Sequence, residues 1–413
     1  MLGEIIAIGD ELTSGRILNT TSGYAARKLY DAGYTIHAMS TIGDTPKLIG
    51  EALLRAITRV DFVIVTGGLG STDDDLTNEA VSKALNRPTM PNLEILSRIR
   101  AHLFSQADAV DSPLEKLAWL PKGADPFNPE SKIAGYQLIH DQTLIFFMPG
   151  IPSEMKELMS NTVLPRLAAW KAGSRLKTHR RIYKIFNMAE SGLNQMINSL
   201  NLPEDISIGY YPDFPDVHLS ILQRGKAREV SPERFEDACR KVEHLLGSAI
   251  YGTDHDDLAL VVGKLLEDQS LQLGVAESCT GGLISQRITS IPGSSNYFLG
   301  GAVTYSNELK EKILGVSHAD LERFGAVSAE VAEAMAHGVL QNTGADVSLS
   351  STGIAGPGGG SPDKPVGTVY LALADKENCQ VISCKFSGDR NRIQLITAHT
   401  ALNMLRLYLI DKS

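Results

Sequence analysis

The segment GVAESCTGGLISQRI, at residues 274–288, joins a short apolar run to a helical pattern through small hydroxyl-bearing residues and two glycines. The apolar run ends at Glu277, and Ser278, Cys279 and Thr280 follow it. A strand that ends in this way and leads into a helix places hydroxyl oxygens and free backbone N–H groups at one point in space. The segment therefore predicts a strand-to-helix unit whose turn binds an anion or a carbonyl group.

Apolar runs and helical patterns alternate on both sides of this segment. DDLALVVGKLLEDQS at 256–270 has helical spacing, and YFLGGAVTYSN at 297–307 and TVYLALAD at 368–375 are strand-like. Alternation of this kind is typical of α/β domains. We therefore predict a C-terminal α/β domain over residues 254–413.

The first part of the chain, residues 1–170, shows the same alternation. Apolar runs such as EIIAIG at 4–9 and DFVIVTGG at 61–68 are separated by helical patterns. This is typical of a mainly parallel sheet covered by helices on both faces, in which ligands bind at the carboxyl ends of strands. Polar, glycine-rich stretches follow three of the predicted strands, at 9–15, 43–45 and 66–77.

The middle segment, residues 171–253, has a different pattern. It contains the strand-like runs RRIYKIF and VHLSILQRG and two helical stretches, of which the second is SPERFEDACRKVEHLLG at 231–247. The segment predicts a small α+β domain.

The composition is that of a globular protein without a large basic surface. Of the 413 residues, 43% are hydrophobic and 21% are charged, and the formal net charge is −9. A chain of this length is expected to form about three domains of roughly 100–200 residues. The acidic balance argues against a nucleic-acid partner, because phosphate neutralisation needs a basic face.

The cysteines and the hydropathy pattern predict a cytoplasmic protein. Cys239, Cys279, Cys379 and Cys384 show no CxxC spacing, so we expect free thiols in a reducing compartment and no zinc site. No apolar run approaches the about 18 residues of a membrane span, and the chain does not begin with a basic leader. We expect no membrane partner.

Four polar clusters follow apolar runs of the C-terminal domain. Each alone is better explained as a turn, since Ser, Gly and Asn form turns for local reasons. Four clusters at strand ends of one sheet favour a site. They are 277–280, 293–295, 304–307 with Lys310, and 350–353.

A nucleophilic serine in this site needs a group that takes its proton. None of the histidines of this domain lies in a glycine-flanked polar cluster, which disfavours a histidine-based triad. A lysine with a lowered pKa, or a tyrosine relaying to one, can replace imidazole. Lys310 follows Tyr305 by five residues, and a turn between them would bring both over one opening. The alternative for Lys310 is a solvated helix face.

Three consecutive acids, Asp73, Asp74 and Asp75, follow the glycines of TGGLGSTDDDLT. Glycines let the backbone approach a ligand, and the dipole of the next helix stabilises carboxylates at its start. The acids either hold a divalent cation through oxygen ligands or cap the helix. The spacing leaves both interpretations open.

Several motifs of residues 254–413 stand in a characteristic order. They include AESCTGG at 276–282, PGSSNYFLGGAVTYSNELK at 292–310, STGIAGPGGGSPDKPVGTVYLA at 351–372 and FSGDRN at 386–391. These motifs resemble the nicotinamide-nucleotide amidase domain of the competence/damage-inducible protein A (CinA) family. The resemblance implies hydrolysis of nicotinamide mononucleotide to nicotinate mononucleotide and ammonia, in pyridine-nucleotide salvage and without a cofactor.

By this resemblance Ser295 is the nucleophile, and Tyr305 and Lys310 activate it. Ser278 is the alternative nucleophile, because it opens a helix where an oxyanion or a phosphate can be held. Backbone N–H groups of a glycine-rich turn would stabilise the oxyanion, and the planar guanidinium of Arg390 suits a phosphate. The residues implied to bind substrate are Ser278, Thr280, Gly281, Thr352, Gly353 and Arg390.

The motifs at 9–21, 41–45, 66–77 and 148–155 are similar to the molybdopterin-binding-like domain that opens CinA-family chains. Some members hydrolyse ADP-ribose there with a divalent metal, so the resemblance implies a nucleotide site that uses a cation such as Co²⁺ or Mg²⁺. The implied nucleotide-binding residues are Glu11, Asn19, Asp44, Gly67, Gly68, Gly70, Thr72 and Glu154, and the implied metal ligands are Asp74 and Asp75.

Two stretches depart from the pattern of this N-terminal domain. The usual proline after GGLG is Ser71, and a loop rich in small residues is replaced by NPESKIAG at 128–135. Loss of the small residues would change the nucleotide pocket.

The middle segment resembles the KH-like connector of the family. It lacks the GxxG loop that clamps a nucleic-acid backbone, which implies a spacer between domains, and the family resemblance implies a homodimer. Two other functions stay open. The N-terminal domain would only bind a pterin or nucleotide and regulate the rest, or the protein would be an accessory factor in competence or DNA repair.

Overall fold

The computed structural model describes residues 1–104, 112–128, 134–171 and 176–412. The chain divides into two compact units, residues 1–178 with 224–231 and residues 179–223 with 232–413. Each of the three larger sheets lies within one of the segments predicted as domains. The boundaries after residues 170 and 253 stay predictions.

The N-terminal unit contains a six-stranded sheet and a separate strand pair. Its strands are β1 (Leu2–Ile8), β2 (Thr35–Ile42), β3 (Phe62–Thr66), β4 (Thr89–Pro91), β5 (Trp119–Pro121), β6 (Asp125–Pro126), β7 (Tyr136–His140) and β8 (Thr143–Met148). The large sheet has the order β2-β1-β3-β8-β7-β6, and β4 pairs with β5. Strands β2, β1, β3 and β8 are parallel, and β7 and β6 form an antiparallel edge. The predicted mainly parallel sheet is confirmed.

Helices pack on both faces of this sheet. Successive side chains of a strand point to opposite faces, so each strand presents apolar residues to both faces. Ile5 and Ile64 belong to the hydrophobic core on one face, whereas Ile6 and Val65 belong to the core on the other. The helices are α1 (Asp10–Thr13), α2 (Thr20–Asp31), α3 (Pro46–Ile57), α4 (Thr77–Ala84), α5 (Leu93–Phe104), α6 (Pro152–Leu158) and α7 (Leu164–Trp170).

The middle segment forms a four-stranded sheet with two helices, which confirms the predicted α+β unit. Its sheet has the order β10-β11-β9-β12, in which β12 and β9 and also β10 and β11 are antiparallel. The buried residues Phe235, Cys239, Val242 and Leu246 recur at helical spacing and belong to its core. The elements are β9 (Lys177–Phe186), α8 (Glu190–Asn198), β10 (Ile206–Asp213), β11 (Asp216–Gly225), α9 (Pro232–Leu246) and β12 (Ile250–Thr253).

The C-terminal segment forms a five-stranded sheet with the order β14-β13-β15-β16-β17. Its strands are β13 (Leu273–Glu277), β14 (Phe298–Val303), β15 (Val347–Gly353), β16 (Thr368–Asp375) and β17 (Cys379–Lys385). Strands β14, β13 and β15 are parallel, and β16 and β17 continue the sheet in antiparallel fashion. The predicted α/β class is confirmed.

Helices also cover both faces of this sheet. Val275 lies in the core cluster that contains residues of the first and last helices of the segment, whereas Ala276 lies in the cluster on the opposite face. The helices are α10 (Leu258–Asp268), α11 (Leu283–Thr289), α12 (Asn307–Leu314), α13 (His318–Phe324), α14 (Ala329–Thr343) and α15 (Arg390–Asp411). Within the described residues, no helix is both long enough and apolar enough for a membrane span.

Candidate functional site

A cavity of about 270 Å³ opens at the carboxyl ends of the parallel strands of the C-terminal sheet. Ser278 follows β13, Tyr305 follows β14, and Thr352 and Gly353 end β15. Parallel strands bring these ends to one edge of the sheet, as the polar clusters predicted. We call this the C-terminal cavity, and its lining residues are Ser278, Cys279, Tyr305, Asn307, Lys310, Ala326, Val327, Thr352, Gly353, Ile354, Ala355, Gly356, Gly358, Gly359 and Arg390.

Lys310 and Ser278 are in direct contact in this cavity. The Nζ atom of Lys310 donates one hydrogen bond to Ser278 Oγ at 3.0 Å and another to the backbone oxygen of Thr304 at 2.7 Å. Lys310 is 1% exposed, and burial lowers the pKa of its amine because it disfavours the charged form. An amine that deprotonates readily beside a hydroxyl can activate that hydroxyl as a nucleophile.

The first turn of α12 directs Lys310 inward. Ser306 caps this helix, since its Oγ accepts a hydrogen bond from the N–H of Leu309 at 3.2 Å. Lys310 and Leu314, four residues apart, are both buried, whereas Leu309 and Ile313 are 36% and 42% exposed. The interpretation of Lys310 as part of a solvated helix face is therefore wrong.

The amino end of α11 is occupied by a carboxylate of the protein itself. Glu277 is fully buried, and its oxygens accept hydrogen bonds from the N–H groups of Gly282, Ile284 and Ser285 at 2.9–3.1 Å. The Ser285 hydroxyl donates a further bond at 2.7 Å. The expectation that these N–H groups are free for a ligand is wrong, because the negative charge that complements the helix dipole belongs to Glu277.

Arg390 and Tyr305 form one side of the cavity. Arg390 Nη2 donates to Tyr305 Oη at 2.5 Å, and Nη1 donates to the backbone oxygen of Gly356 at 2.8 Å. Tyr305 is 58% exposed, so its ring stands at the mouth of the cavity. The structure therefore brings Tyr305 to the predicted opening with Lys310, but its hydroxyl contacts Arg390.

The other hydroxyls predicted to bind substrate are already hydrogen-bonded within the protein. Thr352 Oγ1 donates to the backbone oxygen of Ala326 at 2.6 Å, and the hydroxyls of Thr280 and Ser351 pair at 2.7 Å. In the described chain, Thr280 and Gly281 are not among the lining residues. These contacts hold the walls of the cavity in place.

Cys279 also lines the cavity, next to Ser278. Burial raises the pKa of its thiol to about 12. The thiolate is the nucleophilic form of cysteine, so the environment of Cys279 opposes a catalytic role and fits the packing role expected from the sequence.

Ser295 lies at the opposite edge of the sheet. It belongs to a 3₁₀ turn at Ser294–Asn296 that precedes β14, and Phe298 at the start of β14 pairs with Leu273 at the start of β13. Ser278 follows the last residue of β13, and a five-residue strand spans roughly 16 Å. The predicted grouping of Ser295 with Tyr305 and Lys310 is wrong, because the motif GSS comes before its strand and not after it.

Sequence reasoning missed one positioning residue of this cavity, Lys364. Its Nζ donates hydrogen bonds to the backbone oxygens of Phe324 and Val327, both at 2.7 Å. Lys364 lies in the glycine-rich loop, and Val327 lines the cavity. The signal available in the sequence was that Lys364 is the only basic residue within GGGSPDKPVG, at residues 358–367.

A second cavity, of about 520 Å³, lies at the carboxyl ends of β1, β3 and β8. The three polar stretches predicted at strand ends meet there. We call it the N-terminal cavity, and its lining residues are Ile8, Gly9, Glu11, Asp44, Gly67, Gly68, Leu69, Gly70, Asp74, Asp75, Leu117, Ala134, Pro149, Gly150, Ile151 and Glu154. Of the nucleotide-binding residues predicted from the sequence, Asn19 and Thr72 are not in this set.

Two of its glycines have a backbone that requires glycine. Gly67 and Gly68 have φ values of 100° and 66°, and a Cβ atom on Gly68 would lie 2.2 Å from Thr77 Oγ1. Asn19 instead caps α2 by accepting a hydrogen bond from Ser22 N–H at 3.0 Å. Residues 129–133 of the departing NPESKIAG stretch lie outside the described residues.

The acids of the N-terminal cavity repel one another. The pKa of Asp44 is raised, first by burial and then by the charges of Asp10, Glu11 and Asp74. Asp10 N–H also donates to Asp44 Oδ2 at 2.8 Å, which opposes that rise. A bound cation would relieve this repulsion.

The predicted metal ligands serve partly as turn caps. Asp75 accepts hydrogen bonds from the N–H of Thr72 at 3.0 Å and from its hydroxyl, and a hydrogen bond from Thr72 lowers the pKa of Asp74. Among the described residues, no three acids of this cavity place ligand atoms within 4.8 Å of one another. Mg²⁺ commonly uses one or two carboxylates together with substrate phosphates, so this donor set fits a cation that arrives with a phosphate ligand.

Known families match three successive parts of the chain. Residues 4–169 match the probable molybdopterin binding domain, residues 180–252 match the damage-inducible protein CinA KH domain, and residues 255–409 match the CinA C-terminal domain. The matches follow the order of the three sheets.

Similar proteins cover the whole length. A CinA-like protein of Desulfotalea psychrophila is 56% identical over 408 residues, 99% of each chain. A CinA-like protein of Geobacter sulfurreducens is 39% identical over 407 residues, 98% of each chain. The solved structure of competence/damage inducible protein CihA from Agrobacterium tumefaciens is 43% identical, covers 37% of this chain and 93% of that chain, and has a TM-score of 0.36. With this full-length similarity, the chain belongs to the CinA family.

Proposed function

We propose that the C-terminal cavity hydrolyses the carboxamide of nicotinamide mononucleotide to give nicotinate mononucleotide and ammonia. The observation that carries this proposal is the 3.0 Å contact between the buried amine of Lys310 and the hydroxyl of Ser278. Ser278, not Ser295, is the nucleophile in this proposal. The substrate itself is suggested by the family resemblance of the surrounding motifs.

The first half of the reaction is acylation of Ser278. Ser278 Oγ attacks the carboxamide carbon while its proton passes to the neutral Nζ of Lys310. The backbone N–H group of Cys279, directly after the serine and at the wall of the cavity, is the candidate donor for the resulting oxyanion. Lys310 then returns the proton to the amide nitrogen, and ammonia leaves with formation of an ester on Ser278.

The second half is hydrolysis of this ester. A water molecule gives a proton to Lys310 and attacks the ester carbon, and the proton returns to Ser278 Oγ as the carboxylic acid product leaves. One base thus serves both halves. A neutral Lys310 also avoids repulsion of the positively charged pyridinium ring of the substrate.

Charge in the cavity supports an anionic substrate. Its lining residues in the described chain include the guanidinium cation of Arg390 and no acid, while the amine of Lys310 is neutral in this proposal. Arg390 lies with Tyr305 at the mouth, and a guanidinium there can bind the phosphate of the nucleotide. The carboxamide would then point to Ser278.

The test is ammonia release from nicotinamide mononucleotide by the full chain. Ser278→Ala is expected to lower kcat/KM by about a thousandfold or more, whereas Ser295→Ala, on an exposed turn, is the matched control and should keep full activity. Full activity of Ser278→Ala would contradict the proposal. If Ser295→Ala alone lost activity, Ser295 and not Ser278 would be the nucleophile.

We also propose that the N-terminal cavity hydrolyses ADP-ribose with a divalent cation. Its lining includes five acids, Glu11, Asp44, Asp74, Asp75 and Glu154, and no cation in the described chain. A diphosphate would be repelled by these carboxylates unless a cation neutralised its charge. Asp74 and Asp75 would hold that cation, and Glu11 and Glu154 would border the diphosphate.

AMP release from ADP-ribose by the full chain tests this second activity. Release should require Mg²⁺ or Co²⁺ and stop with a chelator. Asp74→Asn with Asp75→Asn should abolish it, whereas Asp73→Asn, outside the lining, should not. Binding of ADP-ribose without AMP release would favour a regulatory nucleotide-binding module, and salt-sensitive DNA binding would favour an accessory role in competence or repair.

A further inference from the structure

A cluster of three potential metal ligands lies away from both cavities. Glu333 and His337 are four residues apart on α14, and Cys379 is the first residue of β17. One ligand atom from each of the three lies within 4.8 Å of the others. Residues i and i+4 share a helix face, so the two α14 side chains face the same way toward the edge strand.

The packing between α14 and β17 fixes the distance across this cluster. Cys379 packs against a core cluster that contains Ala336 of α14 and Ala374 of β16, and Ala374 is the register partner of Cys379. Because these alanines are small, helix α14 and strand β17 can approach each other closely. The thiol and the imidazole thus approach each other because the backbone elements are already in place.

The ligand types are those of zinc-type ions. Thiolate, imidazole and carboxylate together bind Zn²⁺ and Co²⁺, and three protein ligands with an open position for water are a known arrangement. The side chains of Glu333 and His337 are 52% and 50% exposed, and His337 Nε2 lies 3.9 Å from Glu333 Oε1. A cation from solvent can reach them without a change of the fold.

The charges around Cys379 are those that a cation would balance. The pKa of its thiol is raised to about 11, first by burial and then by the negative charges of Glu333 and Asp375. Asp375 is not a fourth ligand, because its carboxylate binds Tyr408 and Lys412. The site therefore offers three ligands and an open coordination position.

We propose that Glu333, His337 and Cys379 form a site for a zinc-type divalent cation that joins helix α14 to the edge strand β17. The absence of CxxC spacing led to the expectation of no zinc site. These ligands, however, come from two elements, and His337 and Cys379 are separated by 42 positions in the sequence although their ligand atoms lie close together in space. Metal binding displaces the thiol proton to solvent, so the bound form contains a thiolate.

Co²⁺ titration of the reduced full chain tests the proposal, because a cobalt–thiolate bond gives a charge-transfer absorption that oxygen ligands do not. One equivalent of Co²⁺ should produce this band, and Zn²⁺ should remove it. Co²⁺ held by the carboxylates of the N-terminal cavity would not contribute to the band. The result is therefore independent of either proposed activity.

Three variants separate the ligands from their surroundings. Cys379→Ser should abolish the band, and His337→Gln, an exposed helix position, should weaken binding by about tenfold or more. Cys384→Ser is the matched control, because Cys384 lies on the same strand but packs into the core on the other face of the sheet. The absence of a thiolate band in the parent chain, an unchanged Co²⁺ affinity in His337→Gln, or loss of the band in Cys384→Ser would overturn the proposal.

Discussion

The two cavities occupy the same topological position in two different sheets but have opposite charge. Both lie at the carboxyl ends of central parallel strands. The C-terminal cavity is lined by two basic residues, Lys310 and Arg390, and no acid among the described residues, and the N-terminal cavity by five acids and no basic residue. Sheet topology thus determines where a ligand binds, whereas the side chains at the strand ends determine the chemistry.

Burial differs as strongly as charge. Lys310 is 1% exposed and contacts a hydroxyl directly, whereas Asp74 is exposed to solvent. In our proposals the C-terminal cavity therefore holds its own base, whereas the N-terminal cavity would need an added cation before it could bind a diphosphate. Four predictions test this contrast.

The largest effect is expected for Lys310→Met, which keeps most of the side-chain volume and removes the base. Ammonia release should fall by about a hundredfold to ten-thousandfold. In the parent chain, kcat/KM should rise with pH through the lowered pKa of Lys310, because the neutral amine is the active form. If the pH–rate profile of Lys310→Met still showed this rise, Lys310 would not be the base of the C-terminal cavity.

Arg390→Ala should weaken substrate binding at the mouth of the C-terminal cavity. Loss of a charge-assisted contact with phosphate is worth about 1.5–3 kcal/mol, which corresponds to roughly a tenfold to hundredfold increase in KM. Nicotinamide riboside, which lacks the phosphate, should show little change in KM. Arg392→Ala is the control, since the Arg392 guanidinium packs on the Phe214 ring and does not line the cavity.

Glu277→Gln tests whether the buried acid beside the C-terminal cavity stabilises the amino end of α11. An amide has one acceptor oxygen, so some of the N–H groups of Gly282, Ile284 and Ser285 would lose their partner. We expect a loss of about 1–3 kcal/mol in the free energy of unfolding, measured by urea denaturation. Unchanged stability would show that the helix does not need this carboxylate.

The smallest effect is expected for Asp44→Asn in the N-terminal cavity. The pKa of Asp44 lies above its usual value of 3.8, so protons compete with a cation at a higher pH than at an ordinary carboxylate. Mg²⁺ affinity of the parent chain should fall as the pH is lowered toward that pKa. Calorimetric titration of Asp44→Asn should show weaker binding and a smaller dependence on pH.

The alternation of apolar runs and helical patterns was sufficient to predict both α/β sheets and the edge where each cavity lies. It was not sufficient for Ser295, because the polar stretch GSS precedes β14 and so lies at the amino edge. A motif after a strand and a motif before it look alike in composition, and only the strand boundaries separate them.

The burial of Lys310 also was not predictable from hydrophobic periodicity. In NELKEKIL the apolar pair Leu309 and Ile313 would be expected to face the core, yet both are exposed while Lys310 and Leu314 are buried. The cap at Ser306 and the packing of α12 determine the orientation of the helix. An exception to the hydrophobic pattern thus marks the residue that we propose as the base.

The carboxylate of Glu277 has a consequence for which end of the C-terminal cavity attracts an anion. Because Glu277 already balances the amino end of α11, that helix end offers no countercharge beside Ser278, and among the described lining residues Arg390 at the mouth is the cation that we propose to bind an incoming anion. A nucleotide would consequently enter ring first and keep its phosphate outermost, so that compounds extended beyond the phosphate would project into solvent and still reach Ser278 with their carboxamide.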